Sequence, residues 1–154
     1  VLYGLWRDIL APEDREVNLR PVMSLHSRIT LLKWVPAGET VGYGCTFEAS
    51  RKTLVATVPI GYDDGYMRAL SNRGHAIIRG VYATVIGRIS MDLTLIDVTN
   101  VPGVQEEDEV TFMGTKGQLS VSAEEIARTA GTLSYEVTCG IGERVPRVYV
   151  LRNK

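Results

Sequence analysis

The sequence predicts a mainly β domain, an antiparallel barrel or sandwich with one or two short helices. Three observations carry that prediction. Short β-rich runs follow one another from residue 21 onward. Turns rich in Gly and Pro separate them, in a chain that holds 15 Gly and 6 Pro. Only one segment carries a full set of helix boundary signals. Many short strands with little helix bury their apolar faces by packing sheet on sheet or by closing one sheet on itself.

The elements follow in order. Residues 1–20 open apolar, Val1-Leu2-Tyr3-Gly4-Leu5, and turn polar through Pro12-Glu13-Asp14-Arg15-Glu16. This reads as a linker into a domain spanning residues 21–154. A start inside an apolar run predicts a piece of a longer protein. Ile29–Val35 is β-rich and stops at Pro36-Ala37-Gly38-Glu39, a turn with Pro and Gly in favourable order. Val41–Phe47 alternates, with Val41, Tyr43, Cys45 and Phe47 on one face. Gly42 and Gly44 fall on the other face, where a neighbour can approach the backbone closely. Thr53–Pro59 is a further strand. His75–Arg79 and Tyr82–Ile86 flank Gly80 as a hairpin. Leu93–Val98 and Glu109–Met113 complete the strands. Ser122 and Glu125 have capping-box spacing and Gly131 supplies a stop, which predicts a helix over Ala123–Ala130. Ser134-Tyr135-Glu136 starts another helical turn. Arg144–Leu151 returns to strand character, with Pro146 placing it at an edge or a bulge.

Composition narrows the function. The chain has 154 residues, the size of one domain of roughly 100–200 residues. Its net charge of −1 supplies no field for nucleic acid or an anionic membrane. Arginine, which suits bidentate recognition of carboxylate, dominates the 17 basic residues, although most of them read as solvated surface. No apolar run approaches the ~20 residues needed to span a bilayer. Nor does the chain open on a charged-then-apolar leader. Cys45 and Cys139 lie far apart with no CxxC pattern and read as reduced thiols of a cytoplasmic protein.

Several segments could carry chemistry. Gly61-Tyr62-Asp63-Asp64-Gly65-Tyr66 is either a tight turn after a strand or a loop presenting a hydroxyl and backbone N–H groups at a site mouth. Gly87-Arg88-Ile89-Ser90-Met91-Asp92 reads as a strand end passing into a turn. Tyr43, Tyr62, Tyr66 and Tyr135 all lie near glycine or turn residues. An unperturbed tyrosine, with a pKa near ~10, is a poor base at neutral pH unless a cation stabilises its phenolate. His26 and His75 lie outside HxxxH and HExxH spacing. Asp63, Asp64, Asp92 and Asp97 do not match a calcium loop, so no metal is expected.

Taken in order, the segments add up. Tyr3-Gly4-Leu5 and Pro21–Arg28 come first, then Val41-Gly42-Tyr43-Gly44, then Pro59–Gly65 with its GYxDG pattern. Gly87–Asp92 has the pattern GRxxMD, and Ser134–Val137 and Arg144-Val145-Pro146-Arg147 form a tail. Over nearly the whole chain this series resembles the carboxyl-terminal β domain of the alanine racemase family. The resemblance implies an antiparallel Greek-key barrel-like domain with one or two short helices. It implies a bacterial isomerase that interconverts L- and D-alanine, the latter a cell-wall precursor, using pyridoxal phosphate as electron sink. It further implies a head-to-tail homodimer, in which this domain closes the cofactor barrel of a second subunit. A barrel lysine then serves one face of the α-carbon and a tyrosine of the partner serves the other.

Carried over position by position, Tyr43 is that tyrosine. Met91 offers its backbone N–H to the substrate carboxylate, and Asp92 shapes the turn. Tyr62 and Arg88 line the substrate corridor. Leu93 stands where the family commonly has Gln, which leaves open a serine or broad-specificity racemase. Glu143 stands where many members have a tyrosine that reaches the cofactor phosphate, and an ionised carboxylate cannot donate that bond. No cofactor-binding residue is therefore assigned. None of Lys33, Lys52, Lys116 or Lys154 sits in a matching motif. The chain is thus expected to lack the attachment point, to be inactive alone, and to need its barrel domain and a second subunit as partners. A reading without catalysis, a β-barrel module that binds a protein or small ligand, is the alternative.

Overall fold

The computed structural model describes residues 3–5 and 19–150. Most of the expected linker within 1–20 lies outside the described residues, as does Leu151. Ten strands are described: β1 Leu25–Arg28, β2 Leu31–Val35, β3 Thr40–Val41, β4 Phe47–Glu48, β5 Thr53–Val58, β6 His75–Ile78, β7 Val81–Ile86, β8 Thr94–Asp97, β9 Glu109–Lys116 and β10 Leu119–Val121. Two helices follow, α1 Ala123–Ala130 and α2 Ser134–Cys139. No helix among the described residues is long and apolar enough to cross a membrane.

Eight strands form one sheet in the order β1-β9-β6-β7-β8-β5-β2, with β10 beside β9. Its pairs are antiparallel. The two edges are halves of one bent segment, since β1 pairs with β9 and β2 pairs with β5. Ile29 and Thr30 make the corner. The Ile29 N–H donates to the Asp108 carbonyl at 3.0 Å and the Thr30 N–H to the Thr57 carbonyl at 2.9 Å. One segment thus occupies both edges and curls the sheet into a barrel-like form. Strands β6, β7 and β8 run on as neighbours, and β5 lies beside β8, which is a Greek key. The long connection from β5 to β6 holds the Gly61–Tyr66 loop. At the β6–β7 hairpin, Arg79 and Gly80 have φ of 50° and 76°, the left-handed pair that matches the twist of two tightly joined strands.

The inner face is apolar. Phe112, Ile29, Ile77, Ile96, Val58, Val85 and Val110 are all fully buried there. Tyr66 packs its ring edge-on against Phe112 at 4.6 Å. Ile126 and Ala127 of α1 and Val137 of α2 join this core. A second cluster covers the other side of the sheet. Val55 and Ile86 project there and meet Val35 and Ala49, with Val41, Phe47 and Leu95 packed around them. The β3–β4 hairpin therefore lies against the sheet and carries its turn toward Gly87.

Three expectations need correction. Val41–Phe47 is not one strand. Strands β3 and β4 pair with each other, Thr40 opposite Glu48 and Val41 opposite Phe47. Between them Gly42, Gly44 and Cys45 have φ of 79°, 75° and 49°, in the left-handed region an extended strand does not visit. Alternating apolar residues suggested a strand where glycine dictates a turn. Arg144–Leu151 is not a strand over its described residues. Instead, the Arg147 guanidinium folds back to donate to the carbonyls of Ile141, Gly142 and Val145. Finally, Ile29–Val35 is divided at the corner, and β1 precedes it.

Candidate functional site

The site builds outward from glycines. Tyr43 sits at the tip of the β3–β4 turn and is 78% exposed. Its turn packs backbone to backbone on the segment after β7. A Cβ on Gly42 would lie 3.2 Å from the Gly87 Cα and the Arg88 nitrogen. A Cβ on Gly87 would lie 3.1 Å from the Val41 carbonyl oxygen, and both glycines have positive φ. A side chain at either position would be strained by the left-handed backbone and crowded by the facing turn. The Arg88 guanidinium lies against Gly44, so a Cβ there would sit 2.7 Å from its Nη1. Arginine is thus the local cation beside the Tyr43 turn, which the sequence alone does not reveal.

Two further residues fix this contact and went unrecognised in the sequence. Asn72 accepts from the Gly87 N–H at 2.6 Å and donates to Thr46 Oγ1 at 3.3 Å, bridging the two turns. Ser71 Oγ accepts from the Ile89 N–H at 3.0 Å. Their signal was a Ser-Asn pair in a loop, which resembles any other turn.

The chain continues from Arg88 into the Ser90–Leu93 turn, closed by the Ser90 N–H donating to the Leu93 carbonyl at 3.0 Å. Met91 projects there, 48% exposed. The Gly61–Tyr66 loop lies alongside and contains a 3-10 turn over Tyr62–Asp64. The Tyr62 N–H donates to the Ser90 carbonyl at 3.0 Å and the Asp63 N–H to the Met91 carbonyl at 3.1 Å. Only glycine fits at 61, because a Cβ would fall 2.3 Å from the Met91 carbonyl oxygen. The loop is a tight turn, and it does not present its N–H groups: those of Gly61 through Tyr66 all bond within the chain, while the Tyr62 side chain stays half-exposed beside the Met91 turn.

Arg144 ties these parts together. Its Nη1 meets Asp63 Oδ2 at 2.9 Å. Its Nε donates to Asp64 Oδ1 at 2.7 Å and its Nη2 to Asp92 Oδ1 at 2.7 Å. The hydrogen bonds to Asp64 and Asp92 raise its already high pKa further. Asp64 uses its other oxygen to accept the Gly61 N–H at 2.8 Å. The tail reinforces the clamp, with the Gly142 N–H donating to the Asp64 carbonyl at 3.0 Å.

Of the aspartates weighed for a metal, Asp63, Asp64 and Asp92 surround this guanidinium, and Asp97 pairs with Arg51 at 3.1 Å. Among the described residues no group of three or more His, Cys, Asp or Glu is placed to hold a metal ion. His26 bonds Thr111 and Ser24, while His75 pairs with Glu125. The Tyr135 hydroxyl donates to the Leu5 carbonyl at 3.2 Å. Cys45 and Cys139 are exposed and unpaired.

Two of the lysines are engaged away from the loop cluster. Lys52 lies over the Trp34 ring at 4.9 Å and Lys116 bonds Glu109 at 3.0 Å, so neither amine joins the loop cluster. Glu143 is exposed and offers a carboxylate.

Residues 22–149 match the family model for the alanine racemase C-terminal domain. The alanine racemase of Syntrophobacter fumaroxidans is 50% identical over 128 residues, 83% of this chain and 34% of that protein. The crystal structure of the Bacillus anthracis alanine racemase with bound L-Ala-P superposes with a TM-score of 0.91 at 31% identity, covering 99% of this chain and 39% of that one. The Bartonella henselae alanine racemase, solved with covalently bound pyridoxal phosphate, gives 0.85 at 29% identity, covering 97% and 40%. The chain spans well under half the length of these relatives.

Proposed function

The chain belongs to the alanine racemase family as its carboxyl-terminal domain, and on that premise we propose that it supplies one face of an amino-acid racemase site completed by a second subunit. The parent enzyme interconverts L- and D-alanine as a head-to-tail homodimer. Tyr43 holds and moves the proton on one face of the substrate α-carbon through its Oη. The Met91 N–H binds the substrate carboxylate, Asp92 shapes that turn, and Tyr62 and Arg88 line the corridor. Pyridoxal phosphate is covalently bound in the Bartonella henselae relative. In the parent enzyme it would be attached outside these residues and would serve as the electron sink. The isolated chain is inert.

One observation carries the reading. Tyr43 is 78% exposed, yet its turn packs closely on Gly87, where both contacting glycines have positive φ and an added Cβ would lie 3.1–3.2 Å from the facing backbone. A phenol carried so firmly outside its own core suits a role on another surface. Arg88 lies against the adjacent Gly44, on the same side of the hairpin turn.

The test is Tyr43→Phe in the full-length enzyme. General acid–base groups contribute about 10²–10⁴-fold, so kcat should fall by that order. Exchange of the α-proton with solvent deuterium should be lost from one enantiomer and retained for the other. Normal rates in both directions would remove Tyr43 from this role. A second reading, a racemase of serine or of several small amino acids, rests on Leu93, which is 43% exposed on the Met91 turn. Relative rates on alanine and serine separate the two.

A further inference from the structure

We propose that Arg144 is a positioning residue for the substrate carboxylate, fixing the Met91 turn against the Tyr62 turn. The inference rests on the racemase reading above for the identity of the substrate. The geometry itself lies within this chain.

A peptide unit is planar and trans, so the Met91 N–H points opposite to the Ser90 carbonyl. That carbonyl accepts the Tyr62 N–H at 3.0 Å. The aim of the Met91 N–H is therefore set by the Tyr62 turn and faces away from it. The next peptide unit is held in the same manner, through the Met91 carbonyl and the Asp63 N–H at 3.1 Å. Two backbone bonds at the surface are weak restraints in water.

Arg144 adds the missing brace. Its guanidinium is one rigid plane, and its three nitrogens each meet a different carboxylate. Asp63 and Asp64 belong to the Tyr62 turn, and Asp92 directly follows Met91. The plane thus sets the distance between the two turns. It also offsets repulsion among three carboxylates gathered at one place. Arg147 is turned to its own tail instead, with Nη1 and Nη2 donating to the carbonyls of Ile141, Gly142 and Val145.

The test uses Arg144→Gln and Arg144→Lys in the full-length enzyme. An N–H that binds the carboxylate equally before and during reaction gives uniform binding. We expect KM for alanine to rise about tenfold in Arg144→Gln while kcat stays within about twofold. Arg144→Lys keeps the charge without the plane and should raise KM by less. Adding Asp92→Asn to Arg144→Gln should change KM little further, since both act through one bond. Backbone amides of Tyr62 and Asp63 should exchange hydrogen faster in either variant. A merely structural role would lower kcat through loss of folded enzyme and leave KM alone. That result, or an unchanged KM in a folded variant, overturns the proposal. Should Arg144→Gln fail to fold, Arg144→Lys decides by the same readings. Should the unmodified enzyme fail to racemise alanine, the racemase reading falls, and exchange then decides the Arg144 inference. Unchanged protection at Tyr62 and Asp63 rejects it, and faster exchange supports it.

Discussion

At the scale of single residues, Tyr66 and Tyr43 place the same phenol in opposite settings. Tyr66 is 3% exposed and packs on Phe112, and burial pushes its pKa well above the ordinary 10.0. A raised folded pKa fixes the sign of the pH effect. The contribution to stability is fully present below the unfolded value and is lost as pH rises through it toward the folded one. The denaturation midpoint should therefore drop as pH passes about 10, the unfolded tyrosine value, and Tyr66→Phe should blunt that drop. An unchanged alkaline profile in Tyr66→Phe would discount the burial argument. In the sequence, four tyrosines beside turn residues had similar claims. What separates them is exposure, and exposure depends on partners distant along the chain. Arg144 illustrates the same limit, for two of its three carboxylates, Asp64 and Asp92, lie 80 and 52 residues away and Asp63 adjoins the first. Its neighbours Val145 and Pro146 read as a strand edge, which hid a side chain whose work is done at other loops.

Single elements are legible when their signals are local. Helix α1 spans Ala123–Ala130 as its caps predict, with Ser122 Oγ accepting the Glu125 N–H at 3.1 Å and Gly131 ending the helix at φ 79°. All of these cues lie within ten residues. Ser122→Ala should cost about 1 kcal/mol, the usual loss for an N-cap. Chemical denaturation checks this, with a lowered midpoint and an unchanged m-value. The β3–β4 hairpin shows the opposite case. Its apolar alternation fits a single strand as well as a turn flanked by two short ones. The deciding facts are the close approach of Gly42 to Gly87 and the cluster of Val35, Val55 and Ile86 beneath the hairpin. Both are long-range packing and leave no periodicity in the sequence. Strand β10 escaped notice for a simpler reason: at three residues it is too short to show a pattern.

For the whole molecule, the class was legible and the strand order was not, since pairing β5 with β8 and splitting Leu25–Val35 between two edges are long-range choices. That closure has a functional consequence. The two edges of the path are joined by their own chain, and the Tyr43 turn stands outside the barrel on a hairpin anchored to it. If Tyr43 serves a second subunit, two defects placed on different subunits should compensate each other. Consider parent-enzyme subunits carrying Tyr43→Phe co-expressed with subunits lacking the cofactor-attachment lysine. Each homodimer has two defective sites. A mixed dimer has one site with both defects and one with an intact lysine from the first subunit and an intact tyrosine from the second. Random pairing makes half the dimers mixed, so co-expression should restore about a quarter of the unmodified activity. A site completed within one chain gives the other result, because every subunit then carries its own defect. Activity no greater than the sum of the two separate variants would show that Tyr43 acts in its own subunit.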